Sequence, residues 1–331
     1  MIVDDPLSLM FPSVFMRLHG IASRAPVVLK LEGFNITGSI KIKSAVYMIQ
    51  AAEADGIATP GETTVVESSS GNLGIALSLV CQRRGYRFIC VTDPNASAAS
   101  LRAMRAYGAE VVVIKERDGH GGYLHQRIAY IQDLLEHDPS CVWLNQYANQ
   151  ANQLAHYETT AREILAEFPA PDFLFLGAGS TGTLMGCARR FAETSPQTRI
   201  VAVEPVGSVT FGSPPAPRLI PGIGASRCPE LLEIGRVHLV LAVPESDTIR
   251  MCHEVAREHG LIIGGSTGSV LAAIRQFDAE LSSGACVIAV SADFGDKYLE
   301  TVYDRDWVCR NFRLDLESEE AELAFSSAGH R

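Results

Sequence analysis

One lysine and four polar loops carry the chemistry open to this chain. Lys41 closes the stretch from Asn35 (NITGSIK) and opens a helical pattern over residues 44–54. The positive end of a helix dipole disfavours an ammonium there. The placement suits an amine that becomes neutral and forms an imine. The other three loops are Ser68 to Gly74 (SSSGNLG), Gly177 to Thr183 (GAGSTGT) and Gly264 to Gly268 (GGSTG). Each offers backbone N–H groups and hydroxyls at a helix start, where anions are favoured. Taken singly, each loop has a plainer reading, because Ser and Thr cap helices and Gly makes tight turns. Four such loops with one lysine are harder to explain that way.

The elements that position these loops alternate. Candidate strands cover residues 63–66, 88–91, 111–114, 173–176, 200–203, 238–243, 261–263 and 286–290. Helical patterns cover 44–54, 74–84, 97–107, 123–136, 157–167, 184–193, 247–259 and 269–276, and Gly56, Gly85, Gly108 and Gly260 stand where helices should stop. This alternation predicts an α/β fold with parallel sheet and helices on both faces. The four loops then fall at the carboxyl ends of strands, where open α/β sheets bind ligands. The proline-rich stretch 207–224 reads as a long functional loop.

The bulk numbers set limits. The chain has 331 residues, 47% hydrophobic and 20% charged, ordinary for a soluble protein of one large or two modest domains. Its net charge of −10, with no Lys/Arg-rich run, argues against a general affinity for nucleic acid or anionic membrane. Anionic substrates would need a few placed cations. No apolar run could span a bilayer, and no signal-peptide pattern opens the chain, so a cytoplasmic protein is expected. The eight cysteines form no CxxC pair and no zinc-spaced cluster; they are expected to be reduced and buried, with no metal site. The Glu-, Ser- and Ala-rich end after Asp315 is expected to be a flexible tail.

Gly177 to Gly182 also satisfies G-x-G-x-x-G after a strand, and Glu204 ends the next strand. That is the local pattern of dinucleotide binding. It leaves the Lys41, Asn72 and Ser266 loops without a role. The hydroxyls of Ser180, Thr181 and Thr183 suit a terminal phosphate monoester at least as well.

Together these motifs resemble the fold-type II pyridoxal-phosphate (PLP) enzymes, the cysteine synthase and cystathionine β-synthase family. The similarity runs from about Leu31 to Trp307. The family's N-P-x-G-S-x-K-x-R is met by Asn35 to Lys43, with Ile36 for Pro and Lys43 for Arg. S-G-N-x-G is met by Ser70 to Gly74, and G-T-G-G-T by Gly179 to Thr183. Asn145-Gln146-Tyr147, His156, Glu163, Glu204-Pro205, Gly222 to Ala225, Asp293, Gly295, Lys297 and Tyr298 extend the match.

The resemblance implies a tryptophan synthase β-like fold of two three-layer α/β domains with mostly parallel sheets. Residues 1–41 and 146–312 would form the large PLP-binding domain, 42–145 a small mobile domain, and 313–331 a tail; two chains would form a homodimer. By the same resemblance Lys41 carries PLP as a Schiff base and serves as base at Cα. Asn72 bonds the ring hydroxyl. Gly179, Ser180, Thr181, Gly182 and Thr183 hold the phosphate, and Ser266 faces the pyridine nitrogen. Ser69, Ser70, Asn72 and Gln146 bind the substrate carboxylate.

Tyr147 and Ser180 stand where ordinary cysteine synthases carry Phe and Thr. Relatives that carry Tyr and Ser there make N-(2-amino-2-carboxyethyl)-L-glutamate from O-phospho-L-serine and L-glutamate. They supply 2,3-diaminopropionate to siderophore and antibiotic pathways. The expected reaction is that β-replacement, through an aminoacrylate. Arg127 best matches the arginine those relatives use for the substrate phosphate, and Arg218 is a second candidate for either anion. The rival is a cysteine synthase using O-acetyl- or O-phosphoserine with sulfide. A basic lining near Cβ favours glutamate; a closed apolar one favours sulfide. A catalytically silent relative is a further alternative, against which the retained Lys41 and cofactor set argue.

Overall fold

Short β-branched runs and helical patterns alternate into two sheets. The structure, a computed structural model, describes residues 2–10, 13–117 and 122–315. The expected flexible tail lies outside the described residues from 316 onward. In chain order the elements are β1 (Phe15–Leu18), β2 (Val27–Leu31), α1 (Lys41–Ala54), β3 (Thr64–Ser68), α2 (Asn72–Arg84), β4 (Arg87–Thr92) and α3 (Ala98–Ala106). Next come β5 (Glu110–Val113), α4 (Leu124–His137), β6 (Cys141–Trp143), α5 (Gln150–His156), a π-helical turn (Tyr157–Ala161) and α6 (Arg162–Glu167). The last are β7 (Phe173–Gly177), α7 (Gly182–Thr194), β8 (Arg199–Pro205), β9 (Leu239–Val243), α8 (Glu245–His259), α9 (Gly265–Gln276), β10 (Val287–Ser291) and α10 (Arg305–Phe312).

The larger sheet has the order β1-β2-β10-β7-β8-β9, and the smaller β5-β4-β3-β6. Every pairing is parallel except β1 with β2. Because side chains alternate along a strand, each sheet feeds two cores. In the larger sheet Phe173, Phe175, Val201, Val203 and Val287 join Ile249, Val255 and Leu271 of α8 and α9. Leu174, Leu176, Ile200, Ala202 and Ile288 point the other way, onto Ile164, Leu184 and Phe191 of α6 and α7. The smaller sheet divides likewise. Val65, Phe88 and Cys90 pack on α1 and α2, while Val66, Ile89 and Val91 pack on Ile131 of α4. Two three-layer α/β units with mostly parallel sheets result, as expected.

The expected helix stops hold: Gly56, Gly85, Gly108 and Gly260 all have positive φ, which glycine adopts without a Cβ clash. Residues 261–263 do not form the expected strand. Only Ile263 pairs, in one bridge to Phe294, because the chain turns into α9 two residues later. The predicted helix over 157–167 is the end of a longer run that begins at Gln150 and passes through the π turn. β1, β2, β6 and α10 were not expected. Five of the eight cysteines are buried and all are free, but Cys228 and Cys309 are exposed, contrary to expectation. Among the described residues, no helix is long and apolar enough to cross a membrane, and no group of three or more His, Cys, Asp or Glu could hold a metal ion.

Candidate active site

The expected loops converge. Lys41 is the first residue of α1, Asn72 of α2, and Gly182 of α7, while Ser266 is the second of α9. The turn before Lys41 is sewn to the end of β10: Ile40 donates its N–H to Ala292 O at 2.8 Å, and Ser39 bridges Asp293. The Ser69 Oγ accepts from the N–H groups of Gly71 and Gly74 at 3.3 and 3.0 Å, closing the turn into α2.

Burial pushes the Lys41 amine down to about 8, although Glu67 and Asp293 pull the other way. A lysine at that level is neutral often enough near physiological pH to act as nucleophile and base. Glu67, the penultimate residue of β3, is buried, accepting from Ser68 N–H at 2.8 Å, Gln146 N–H at 3.2 Å and Trp143 Nε1 at 3.3 Å. Burial raises its carboxyl to about 7 against these hydrogen bonds. Glu67 was not among the expected site residues. Its signal was an acid closing an apolar strand one residue before a polar loop. Asp293 is also raised by burial, while Tyr298 and Asn72 donate to it at 2.6 and 2.7 Å.

The loop between β7 and α7 is built for an anion. Thr181, the residue before α7, has a φ of 63°. This is a strained backbone for a β-branched residue, of the left-handed kind found in turns whose N–H groups cup an anion. Its hydroxyl is buried without a partner, a cost that a bound acceptor would remove. Ser180 accepts from Asn152 at 3.2 Å, and Asn152 also donates to Gln146 O at 2.8 Å. A Cβ on Gly182 would collide with Asn152, so glycine there lets α5 approach. Ser266 is half-buried at the start of α9. An amine held near 8 and a helix N-terminus with an orphaned hydroxyl fit a phosphorylated aldehyde.

Gln146 Nε2 donates to Ser68 O at 3.4 Å, setting it beside the Ser69–Ser70 turn. Arg127 donates to Ser70 Oγ at 2.8 Å and pairs with Asp93 at 3.1 Å. Arg227 stacks over Tyr147 with its guanidinium carbon 4.7 Å from the ring centre. Burial raises the Tyr147 phenol, while Arg127, Arg227 and Arg218 all act to lower it. Arg218 hydrogen-bonds Ser226 at 2.9 Å. Arg227 was not foreseen. Its nearest sequence signal is its place just after the long loop. Glu204, the acid of the dinucleotide pattern, is raised by burial and takes hydrogen bonds from the loop residues Ser208 and Thr210.

Residues 10–293 match the family described as pyridoxal-phosphate dependent enzyme, and the chain belongs to it. Its cofactor is therefore PLP, and the dinucleotide reading falls. The fold is similar to that of O-ureido-L-serine synthase, with 30% identity over 98% of this chain and 100% of that one, at a TM-score of 0.85. It is also similar to an O-acetylserine dependent cystathionine β-synthase from Helicobacter pylori, with 29% identity, 91% and 98% coverage and a TM-score of 0.84. A hydrogen sulfide-producing enzyme from Fusobacterium nucleatum matches at 28% identity, 90% and 100% coverage and a TM-score of 0.84.

Proposed function

We propose that this enzyme performs a β-replacement, converting O-phospho-L-serine and L-glutamate to N-(2-amino-2-carboxyethyl)-L-glutamate and phosphate. The observation that carries it is the group of three guanidiniums acting on Tyr147. Arg127, Arg218 and Arg227 each keep a buried Nε without a hydrogen-bond partner. Arg127 and Arg227 already pair with Asp93 and Glu230, but in a chain of net charge −10 three guanidiniums gathered with a spare donor each support polyanionic substrates. Phosphoserine brings a phosphate and glutamate two carboxylates, and guanidinium pairs with both. Sulfide needs no such lining.

PLP, when bound through its aldehyde, supplies an electron sink that weakens the Cα–H bond and the bond to the Cβ leaving group. The chain's residues do the rest. Lys41 binds the aldehyde and, once released, takes the proton at Cα. Asn72 bonds the ring hydroxyl, Gly179 to Thr183 cradle the phosphate, and Ser266 meets the ring nitrogen. Ser69, Ser70, Asn72 and Gln146 hold the substrate carboxylate, with Tyr147 beside it. Arg127 stabilises the departing phosphate. The smaller sheet with its helices, within 42–145, moves over the site and excludes water. The working form is a cytoplasmic homodimer, and the product feeds 2,3-diaminopropionate synthesis for a siderophore or antibiotic.

The likeness to the cystathionine β-synthase and to the sulfide-producing enzyme supports one competing reading, a cysteine synthase taking O-acetyl- or O-phosphoserine with sulfide. Phosphate release from O-phospho-L-serine, with glutamate or sulfide offered and the product weighed by mass spectrometry, separates the two. Glutamate-dependent release with the conjugate mass supports the proposal. Release with sulfide alone overturns it.

A further inference from the structure

His156 is fully buried at the end of α5. Its Nε2 lies 3.0 Å from Ser44 Oγ and 3.2 Å from Thr183 Oγ1. Its Nδ1 lies 3.1 Å from Thr160 Oγ1. Ser44 is three residues past Lys41 on α1, and Thr183 is the second residue of α7. One imidazole thus joins the helix that carries the amine to the loop that receives the phosphate. The approach is made possible by Gly186, where a Cβ would collide with Gln153 O and press on His156. The π turn after His156 sets Thr160 against the ring; such turns recur at functional sites.

The direction of these hydrogen bonds follows from their far end. Lys43 Nζ stands 3.5 Å from Thr160 Oγ1, and an ammonium only donates. The Thr160 hydroxyl therefore accepts from Lys43 and gives its own hydrogen to His156 Nδ1. Burial first, then the Lys41 and Lys43 charges, hold the imidazole well below its ordinary value, so the ring is neutral and carries one proton. That proton sits on Nε2 and is shared by the Ser44 and Thr183 oxygens. With its lone pair occupied, the Thr183 hydroxyl turns its hydrogen outward.

We propose that His156 is a positioning residue that aims the Thr183 hydroxyl at the cofactor phosphate, with Lys43 polarising the relay through Thr160. This rests on the reading of Gly179 to Thr183 as the phosphate cradle. A chain of bonds all pointing one way from a cation strengthens its last donor, and that donor meets a dianion.

The test is the 31P resonance of PLP in the holoenzyme, with PLP affinity measured on the reconstituted protein. His156→Leu and Thr183→Val are each expected to weaken PLP about tenfold, the worth of one hydrogen bond to a charged group, and to move the resonance in the same direction. The double variant should be no weaker than either single one, since both cut the same relay. His156→Gln keeps an N–H near the Nε2 position and should recover part of the loss. Thr160→Val cuts the relay at its far end, on the side of the His156 ring away from Thr183, and should give a smaller shift of the same sign. It carries the test if His156→Leu fails to fold. Additive losses in the double variant, no recovery in His156→Gln, or a resonance unmoved by Thr160→Val, overturn the relay. An unmoved resonance and unchanged affinity in Thr183→Val would instead sink the phosphate-cradle reading itself.

Discussion

Asn72 is clamped between opposite charges: its Nδ2 donates to Asp293 Oδ2 and its Oδ1 accepts from Lys297 Nζ, both at 2.7 Å. The two contacts fix which way the amide faces. Lys297 also donates to the carbonyls of Thr37 and Gly38 at 3.2 and 3.3 Å. It therefore ties the turn before Lys41 to the start of α2. Lys297→Met should let the amide rotate, lowering kcat/KM about tenfold, the loss of one charge-assisted hydrogen bond. The visible absorption of bound PLP should shift with it, because the group proposed to face the ring hydroxyl would have moved. An unchanged spectrum with unchanged kcat/KM would remove Lys297 from this role.

The Lys41 amine, pushed down to about 8 by burial, gives a pH dependence with a definite sign. PLP uptake by the apoprotein needs the neutral amine, so its rate should climb with pH, pass half-maximum near 8 and level off above. The folded value lies below the ordinary 10.5. Between about 8 and 10.5 the unfolded chain binds more protons, so apoprotein stability should rise with pH across that window. Lys41→Ala should abolish the bound chromophore and turnover and flatten the stability slope. An uptake rate still climbing at pH 10, or an active Lys41→Ala protein, would contradict the assignment.

Much of this arrangement was legible in the chain because local chemistry and position agree. Gly85 and Gly260 end helices at positive φ, and Lys41, Asn72 and Gly182 open helices where a polar loop meets an apolar run. Other features carry little local signal. β2 has Lys30 as its fourth residue, which disguises a strand buried on every residue; of its partners, Glu32 is near but Glu163 stands far off in sequence. β6 has only three residues, too short for a period. Residues 261–263 are apolar enough for a strand, yet Gly264 and Gly265 commit the backbone to α9. Arg227 and Glu67 join the site through tertiary approach; an acid at the end of an apolar strand and an arginine after a long loop are weak signals that do not say where the two residues meet.

The guanidiniums acting on Tyr147 are expected to divide the proposed substrates between them. Arg127 reaches the Ser70 hydroxyl at 2.8 Å, next to the turn proposed for the donor carboxylate. Arg127→Ala should raise KM for O-phospho-L-serine tenfold or more, about the loss of one or two charge-assisted hydrogen bonds, and leave PLP affinity unchanged. Arg227 sits on the Tyr147 ring, and Arg227→Ala should fall mainly on KM for glutamate. Initial-rate kinetics with each substrate varied in turn check the split. Equal phosphoserine kinetics in Arg127→Ala would take that residue out of the site.

Behind Lys41 lies a buried ionic quartet that should govern stability. Lys43 Nζ is 2.9 Å from Glu32 and 2.7 Å from Glu163, and Lys30 Nζ is 3.4 and 2.8 Å from the same two carboxylates. Both lysines are at most 1% exposed. Burial opposes the charges, but the pairing outweighs it: Lys43 is raised and Glu32 lowered from their ordinary values. Two ammoniums balance two carboxylates, so removing one cation leaves net negative charge in a medium that solvates it poorly. Lys43→Met should therefore cost about 3–5 kcal/mol, read as a lower urea midpoint for the apoprotein. Lys43→Arg keeps the charge and its donors and should cost far less. A midpoint for Lys43→Met within error of the parent would show that the quartet contributes no net stability.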